Sequence, residues 1–415
     1  MELNHKRGAP GIRRRRSQMT DLTVTRAVQV PDPLRIGRYR RAPEFGPRVL
    51  FFSGGTALTE ISRALKTCTH NSIHLVTPFD SGGSSAKLRQ AFGMPSIGDL
   101  RSRLMALADE AVTGHPEIYR LFSHRLDKDA KPRALAAQLD AIIHGKTPLI
   151  EDIPNPMRRL IKSQLEHFHD AMPDDFDLRG ASIGNLIIAG GFLGNHQHLE
   201  PIIFLFSKLV NVLGTVRAVV NTSLHLGAEL HDGSRVIGQH LLTGKEVASL
   251  TSPIKRVFLS EKTDELVPAK AILRKKNRKL ISQADIICYP PGSFYSSLIA
   301  NLLPKGVGSA VANNRCPKVY IPNLATDPEQ TGLDAAGAVS VLLEYLRQDC
   351  GAKVPTDRLL NFILVDKGDR GEMASFSRNF GHDSGVQIIE TRLVSKASAP
   401  FYDPELLVST LLSLT

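Results

Sequence analysis

The sequence predicts a doubly wound α/β chain with a mostly parallel sheet and an inserted helical subdomain. Short, unbroken apolar runs recur from Val49 onward, the pattern of strands buried on both faces. Each run is followed by glycine or a polar turn and then by a stretch with helical spacing, the alternation that lays helices over both faces of a parallel sheet. Residues 104–172 break this rhythm: they are helix-rich, marked by several prolines, and place Met157, Leu160, Ile161, Leu165 and Phe168 at helical spacing.

Residues 1–48 come first, with Arg13 to Arg16 in a row, five prolines and little apolar periodicity, and read as a mobile or loosely packed arm. Met19 is a possible second start. The predicted strands are Val49–Phe52, Ile73–Val76, Ala218–Val220, Ile286–Tyr289, Val319–Ile321 and Phe362–Val365. Leu58, Ile61 and Leu65 form the stripe of the first helix, and Val339, Leu342, Leu343 and Leu346 that of a later one. Residues 49–415 are therefore expected to be one α/β domain carrying the insertion.

Charge narrows the function classes. The net +11 over 415 residues is uneven: residues 1–48 hold 12 Lys/Arg against 4 Asp/Glu, leaving 40 against 37 for the rest. With the excess in the arm, and no aromatic-rich RNA motif or helix-turn-helix pattern, nucleic acid is not the expected partner. Four dispersed cysteines without a CxxC pair argue against a disulfide framework or cysteine zinc site, and for a reduced, cytoplasmic setting. No apolar run is long enough to span a membrane, and no signal peptide is legible.

The chemistry is expected at strand ends, where turn glycines and helix N-termini offer N–H groups to anions. Gly54-Gly55-Thr56 follows the first strand. Asp80 follows the second, then Gly82-Gly83-Ser84-Ser85 and Lys87 with Arg89; a carboxylate there suits Mg²⁺ or a substrate hydroxyl, and the cations suit phosphate. Helix capping by Asp80 and turn roles for the serines are the plainer alternatives. Asp99 stands at the start of a predicted helix Leu100–Asp109, as cap or catalytic group. Gly184-Asn185 and Gly292-Ser293 lie in further small-residue turns; the second, ahead of an apolar helix, is an expected second anion site.

Other chemistries lack support. There is no GxGxxG, and Gly145-Lys146-Thr147 has Asp140 where a P-loop needs glycine. The pairs His167/His169 and His196/His198 do not make a metal template, and no GxSxG serine elbow is present.

In order, Gly54-Gly55-Thr56, Asp80 with Gly82 to Ser85, Gly98-Asp99-Leu100-Arg101, Leu121-Phe122 with Arg125, Gly184-Asn185-Leu186, Ala228-Glu229-Leu230, Pro291-Gly292-Ser293 with Ser297, and Asn323-Leu324 with Thr326 resemble the CofD/YvcK superfamily. The resemblance spans about Val49 to Leu346. It implies a Rossmann-like, usually dimeric protein that binds a nucleotide-linked ligand. One branch transfers a phospholactyl group from a guanosine diphosphate-linked donor to a deazaflavin hydroxyl with Mg²⁺; the other resembles UDP-sugar-binding regulators of carbon metabolism and cell-wall growth. The implied catalytic residues are Asp80, also the metal ligand, and Asp99. The implied ligand contacts are Gly54, Gly55, Thr56, Gly82, Gly83, Ser84, Ser85, Lys87, Arg101, Gly184, Asn185, Gly292, Ser293, Asn323 and Thr326. Three departures mark a divergent CofD-like subgroup: Ser81 sits where the family commonly has a second acid, Glu329-Gln330 where it favours Gly-Glu, and residues 104–172 and those beyond Leu346 match poorly. Group transfer is the leading expectation, with a non-catalytic UDP-sugar regulator as the alternative.

Overall fold

The computed structural model describes residues 27–111, 114–244, 250, 252–369, 371, 375, 376, 378, 380 and 385–415. Arg13 to Arg16 and Met19 lie outside these residues. The apolar runs form seven strands: β1 (Val49–Ser53), β2 (Ile73–Val76), β3 (Thr215–Ala218), β7 (Ile286–Tyr289), β8 (Lys318–Tyr320), β9 (Phe362–Asp366) and β10 (Gln387–Thr391). They pair in parallel in the order β10-β9-β8-β7-β1-β2-β3. The third predicted strand is displaced: pairing ends at Ala218, and Val219 and Val220 continue as buried core beyond it.

Alternation along β1 divides the core. Val49 and Phe51 face one layer, with α2 (Thr59–Leu65) and the C-terminal helix Pro404–Ser413; Leu50 and Phe52 face the other. Leu58, Ile61 and Leu65 of the first stripe are buried, as are all four residues of the later stripe on α15 (Ala335–Cys350). The arm is packed from residue 33: α1 (Pro33–Arg41) starts at Asp32, whose side chain accepts the Arg35 N–H. It buries Ile36, and the Arg35 guanidinium donates to the Ser413 carbonyl at 2.9 Å.

The helical layer runs further than expected. It comprises α3 (Gly83–Phe92), α4 (Gly98–Ala106), α5 (Pro116–Ser123), α6 (Pro132–Ile143), α7 (Pro148–Glu151), α8 (Met157–Ala171), α9 (Ile183–Gly194) and α10 (Leu199–Leu209). These share one core with Val76, Val216 and Ala218 of the sheet. Ile161, Leu165 and Phe168 are buried as expected, whereas Leu160 is 42% exposed. Helix α9 lies close on α8: a Cβ on Gly190 would fall 1.8 Å from the Gln164 carbonyl oxygen.

A second sheet was not anticipated. β4 (His225–Leu230), β5 (Arg235–Ile237) and β6 (Ile254–Ser260) pair antiparallel as β5-β4-β6, with the short α11 (Gln239–Leu242) after β5. The chain returns through α12 (Lys275–Gln283) to β7, then through a π-helix at Phe294–Ile299, α13 (Ala300–Leu302) and α14 (Val307–Asn313) to β8.

Candidate functional site

The strand order reverses beside β1: the chain winds out through β2 to β3, then re-enters at β7 on the other flank. Turns leaving neighbouring strands diverge at such a point, and a crevice opens over their carboxyl ends. Here it is a cleft of about 350 Å³ receiving the turns after β1, β2 and β7.

The β1 turn is held from three sides. Asn301 donates to the Ser53 carbonyl at 2.9 Å, the buried Arg103 guanidinium donates to the Leu58 and Gly55 carbonyls, and the Gly55 N–H donates to Asp99 Oδ2 at 2.8 Å. Gly55 takes φ +59°, a conformation that favours glycine. After β2, Asp80 Oδ1 accepts the Gly82 N–H at 3.1 Å, and α3 begins at Gly83 with no side-chain cap. A Cβ on Gly98 would fall 2.5 Å from Ser85 Oγ, so the first turns of α3 and α4 approach as closely as glycine allows.

Arg101, one turn into α4, supplies the electrostatics. Burial pushes its guanidinium down to about 10, and the neighbouring Arg125 adds repulsion. Among the described residues no carboxylate forms an ion pair with either arginine, and the buried Arg101 Nε has no hydrogen-bond partner. Arg125 is held through the Gly180 carbonyl at 3.2 Å. Two cations in no ion pair, beside an uncapped helix N-terminus, favour a bound anion such as phosphate.

Of the expected residues, Gly55, Thr56, Asp80, Gly82, Gly83, Ser84, Ser85, Asp99, Arg101, Asn185 and Ser293 line this cleft. Asn185 is fully buried; its Nδ2 donates to Ser84 Oγ at 3.1 Å, and its Oδ1 has no partner among the described residues. Lys87 does not reach the cleft, because Asp177 binds its ammonium at 2.8 Å and the Arg179 carbonyl at 3.0 Å. Arg89 is likewise turned inward, donating to the Asp80 and Leu224 carbonyls and so bracing the Asp80 turn. Gly54 and Gly184 act by close approach: a Cβ would fall 2.9 Å from Ser297 Oγ and 2.6 Å from the Phe122 carbonyl oxygen, respectively. Thr326 is exposed outside the lining.

The anion expected at the turn after β7 is replaced by the chain's own acids. Gly292 N–H donates to Asn323 Oδ1, Phe294 N–H to Asp327, and the Tyr295 and Ser296 N–H groups both to Glu329, at 2.7 to 2.8 Å. The Ser296 hydroxyl adds a bond of 2.5 Å to Glu329. Glu329 is 1% exposed, and burial, with Asp327 beside it, pushes its carboxyl up to about 7. Of this turn only Ser293 and Ser297 reach the cleft.

The opposite wall comes from α11, the short helix that follows β5 of the unanticipated sheet. Gln239, His240 and Thr243 line the cleft, and Ser81 Oγ lies 2.8 Å from His240 Nδ1 while accepting the His240 N–H at 3.2 Å. Ser81, in place of a second acid, thus ties the turn after β2 to α11. Among the described residues no group of three or more His, Cys, Asp or Glu is arranged to hold a metal. Asp80 and Asp99 are two carboxylates on one cleft, a set that fits Mg²⁺ only when substrate phosphates complete the shell.

A family model described as 2-phospho-L-lactate transferase CofD matches residues 49–396. The chain belongs to the CofD family. Among CofD-like relatives, it is 30% identical over 326 residues to a Bacillus subtilis protein named gluconeogenesis factor, covering 78% of this chain and 80% of that one. A gluconeogenesis factor of Halalkalibacterium halodurans is 28% identical over 314 residues, covering 75% and 77%. A crystal structure of a UPF0052 family member from Bacillus halodurans superposes with a TM-score of 0.62 at 25% identity, covering 88% of this chain and 99% of that one. The Rossmann-like fold thus agrees with the CofD assignment, and no helix among the described residues is long and apolar enough to cross a membrane.

Proposed function

We propose that the cleft binds a nucleoside diphosphate-linked ligand and that the protein transfers a phospho-acyl or phosphoryl-type group from it to a hydroxyl acceptor. The observation that carries this reading is the pair Arg101 and Arg125, without an acid partner, converging with the uncapped start of α3. A diphosphate supplies the arginines' ion-pair partner, and its bound oxygens can share Mg²⁺ with Asp80 and Asp99. Bound there, the metal would neutralise phosphate charge. Transfer to a hydroxyl needs mainly alignment and charge neutralisation, with no protein nucleophile. Asp80 and Asp99 orient the metal or the acceptor hydroxyl, and the amides of Gly82 to Ser85 fix the phosphates.

A second reading, a non-catalytic UDP-sugar-binding regulator, is favoured by Ser81. Its hydroxyl is committed to His240, so the cleft has one carboxylate fewer than the family pattern offers. The relatives' name, gluconeogenesis factor, leans the same way. A homodimer in the cytoplasm is the expected setting for either.

Titration of the full chain with UDP, a UDP-sugar, GDP and a deazaflavin acceptor, with and without Mg²⁺, tests both. We expect at least one nucleotide to raise the melting temperature and Asp80→Asn to weaken binding or abolish turnover. A melting temperature unmoved by every nucleotide defeats both readings. Binding without product under any pairing of donor and acceptor selects the regulator.

A further inference from the structure

Beyond the cleft, a groove of about 820 Å³ lies between α12 and α14, and none of its lining residues belongs to the cleft. Its chemistry is unlike the rest of the body. Residues 270–279, Lys-Ala-Ile-Leu-Arg-Lys-Lys-Asn-Arg-Lys, hold six cations and no acid, in a body from residue 49 onward whose cations exceed its acids by only 3. Everything else in that body is therefore net acidic.

The backbone fixes an apolar anchor at the head of this groove. Leu273 N–H donates to the Lys305 carbonyl and Lys305 N–H to the Ala271 carbonyl, each at 2.9 Å. This extended pairing buries Ala271 and Leu273 and turns Ile272 outward, where it is 66% exposed. The exposure is imposed by hydrogen bonds on both sides. Lys275 and Lys279, one turn apart on α12, rim the groove with Arg278 and Lys305. Among the described residues none of these four has an ion-pair partner, whereas Lys276 and Arg274 are held by Glu200. Asp349, the groove's carboxylate, is occupied by the Gly306 and Ser309 N–H groups.

We propose that this groove docks an acidic, amphipathic segment of a partner protein. Concavity, an apolar anchor and unpaired cations on the rim match a peptide that carries apolar side chains on one face and carboxylates beside them. A flat lipid surface or a convex nucleic-acid duplex would meet the exposed cations and Ile272 but not the buried Gly306 and Ala310 that line the groove.

The test is selection of a phage-displayed library of random 16-residue peptides against the purified full chain, followed by fluorescence anisotropy with the enriched peptides. Enrichment of peptides bearing three or more Asp/Glu with apolar residues at helical spacing is expected. Binding should fall at least 50-fold in Lys275→Glu/Lys279→Glu and at least 10-fold in Ile272→Ser. Both variants alter exposed side chains, so circular dichroism and the nucleotide-induced rise in melting temperature should match the unaltered chain. Substituting Gln for Arg13, Arg14, Arg15 and Arg16 should leave binding unchanged. Failure to enrich acidic peptides, or binding that follows the arginine run instead of Ile272, overturns the proposal. So does a short RNA duplex or phosphatidylserine vesicle that displaces the peptide and whose own binding ignores Ile272→Ser.

Discussion

Replacing Arg101 by methionine should make the protein more stable and its cleft useless. Its guanidinium is pushed down to about 10, chiefly by burial and then by Arg125, from a usual value above 12. A difference of that size, reduced for partial exposure, puts the cost of holding the charge in the folded chain at about 1 to 3 kcal/mol. The native state binds fewer protons than the unfolded one only above about pH 10. The penalty is therefore fully present at neutral pH, and Met, which keeps most of the stem's packing, relieves it. For a chain this long, about 1 to 2 °C of melting temperature accompanies each kcal/mol, so a rise of roughly 1 to 6 °C is expected without ligand.

Binding should move the other way. Removing one partner of a buried, hydrogen-bonded charge pair costs about 2 to 5 kcal/mol, or at least about 30-fold in affinity. Thermal melts of the ligand-free chain and calorimetric titration with the nucleotide that binds best supply the two readings. Arg125→Met, at an exposed position, should lose less affinity and gain little stability. If Arg101→Met melts lower than the unaltered chain and binds nucleotide equally well, the guanidinium is a structural group and the anion assignment fails.

Glu329→Gln should remove a pH dependence: a carboxyl held up to about 7 binds more protons folded than unfolded, so its contribution to stability is lost as pH rises from about 4 to about 7. Urea unfolding at pH 5 and pH 7.5 should show that loss in the unaltered chain and a smaller one in the variant. Glu329→Leu, which strands the Tyr295 and Ser296 N–H groups, should cost about 2 to 4 kcal/mol at both pH values. Gly190→Ala should destabilise by about 3 kcal/mol or more in urea unfolding, because α8 and α9 must part to admit a Cβ that would fall 1.8 Å from the Gln164 oxygen. Gly184→Ala, whose Cβ would fall 3.0 Å from Arg101 Cδ, should lower nucleotide affinity several-fold in the same titration that serves Arg101.

What could be read in advance was whatever depends on a residue's near neighbours. Parallel strands buried on both faces leave continuous apolar runs, so Ile73–Val76 and Ile286–Tyr289 are legible to the residue. The antiparallel sheet leaves no such mark. β6 reads Ile-Lys-Arg-Val-Phe-Leu-Ser, with two adjacent exposed cations, and the register against β4 shifts between Glu229 and Leu230. The bulge breaks the simple period of two by which a half-buried strand is recognised. With that sheet went Gln239, His240 and Thr243, a whole wall of the cleft. Lys87 failed for a related reason: a lysine one turn into a helix after a glycine turn has a phosphate-binding address, but its partner Asp177 is 90 residues away in sequence.

The turn after β7 makes the same point about chemistry. A Pro-Gly-Ser turn opening a helix presents donors to any anion, and sequence spacing cannot tell a ligand's phosphate from a carboxylate of the chain. Asp327 and Glu329 take the Phe294, Tyr295 and Ser296 N–H groups, and Asn323 takes that of Gly292. The departure at Glu329-Gln330 is thus the trace of an internal counter-ion, seated where a second phosphate subsite was expected. With those amides occupied, the anion-binding capacity of the cleft concentrates on Arg101, Arg125 and the start of α3. A ligand whose phosphates are adjacent, as in a diphosphate, suits that single subsite better than one whose anionic groups lie at opposite ends. Competition by pyrophosphate against nucleotide, compared with competition by an equal concentration of orthophosphate, measures the difference directly. Pyrophosphate should compete at least tenfold more strongly, and equal competition would mean that the two arginines and α3 do not act on one diphosphate.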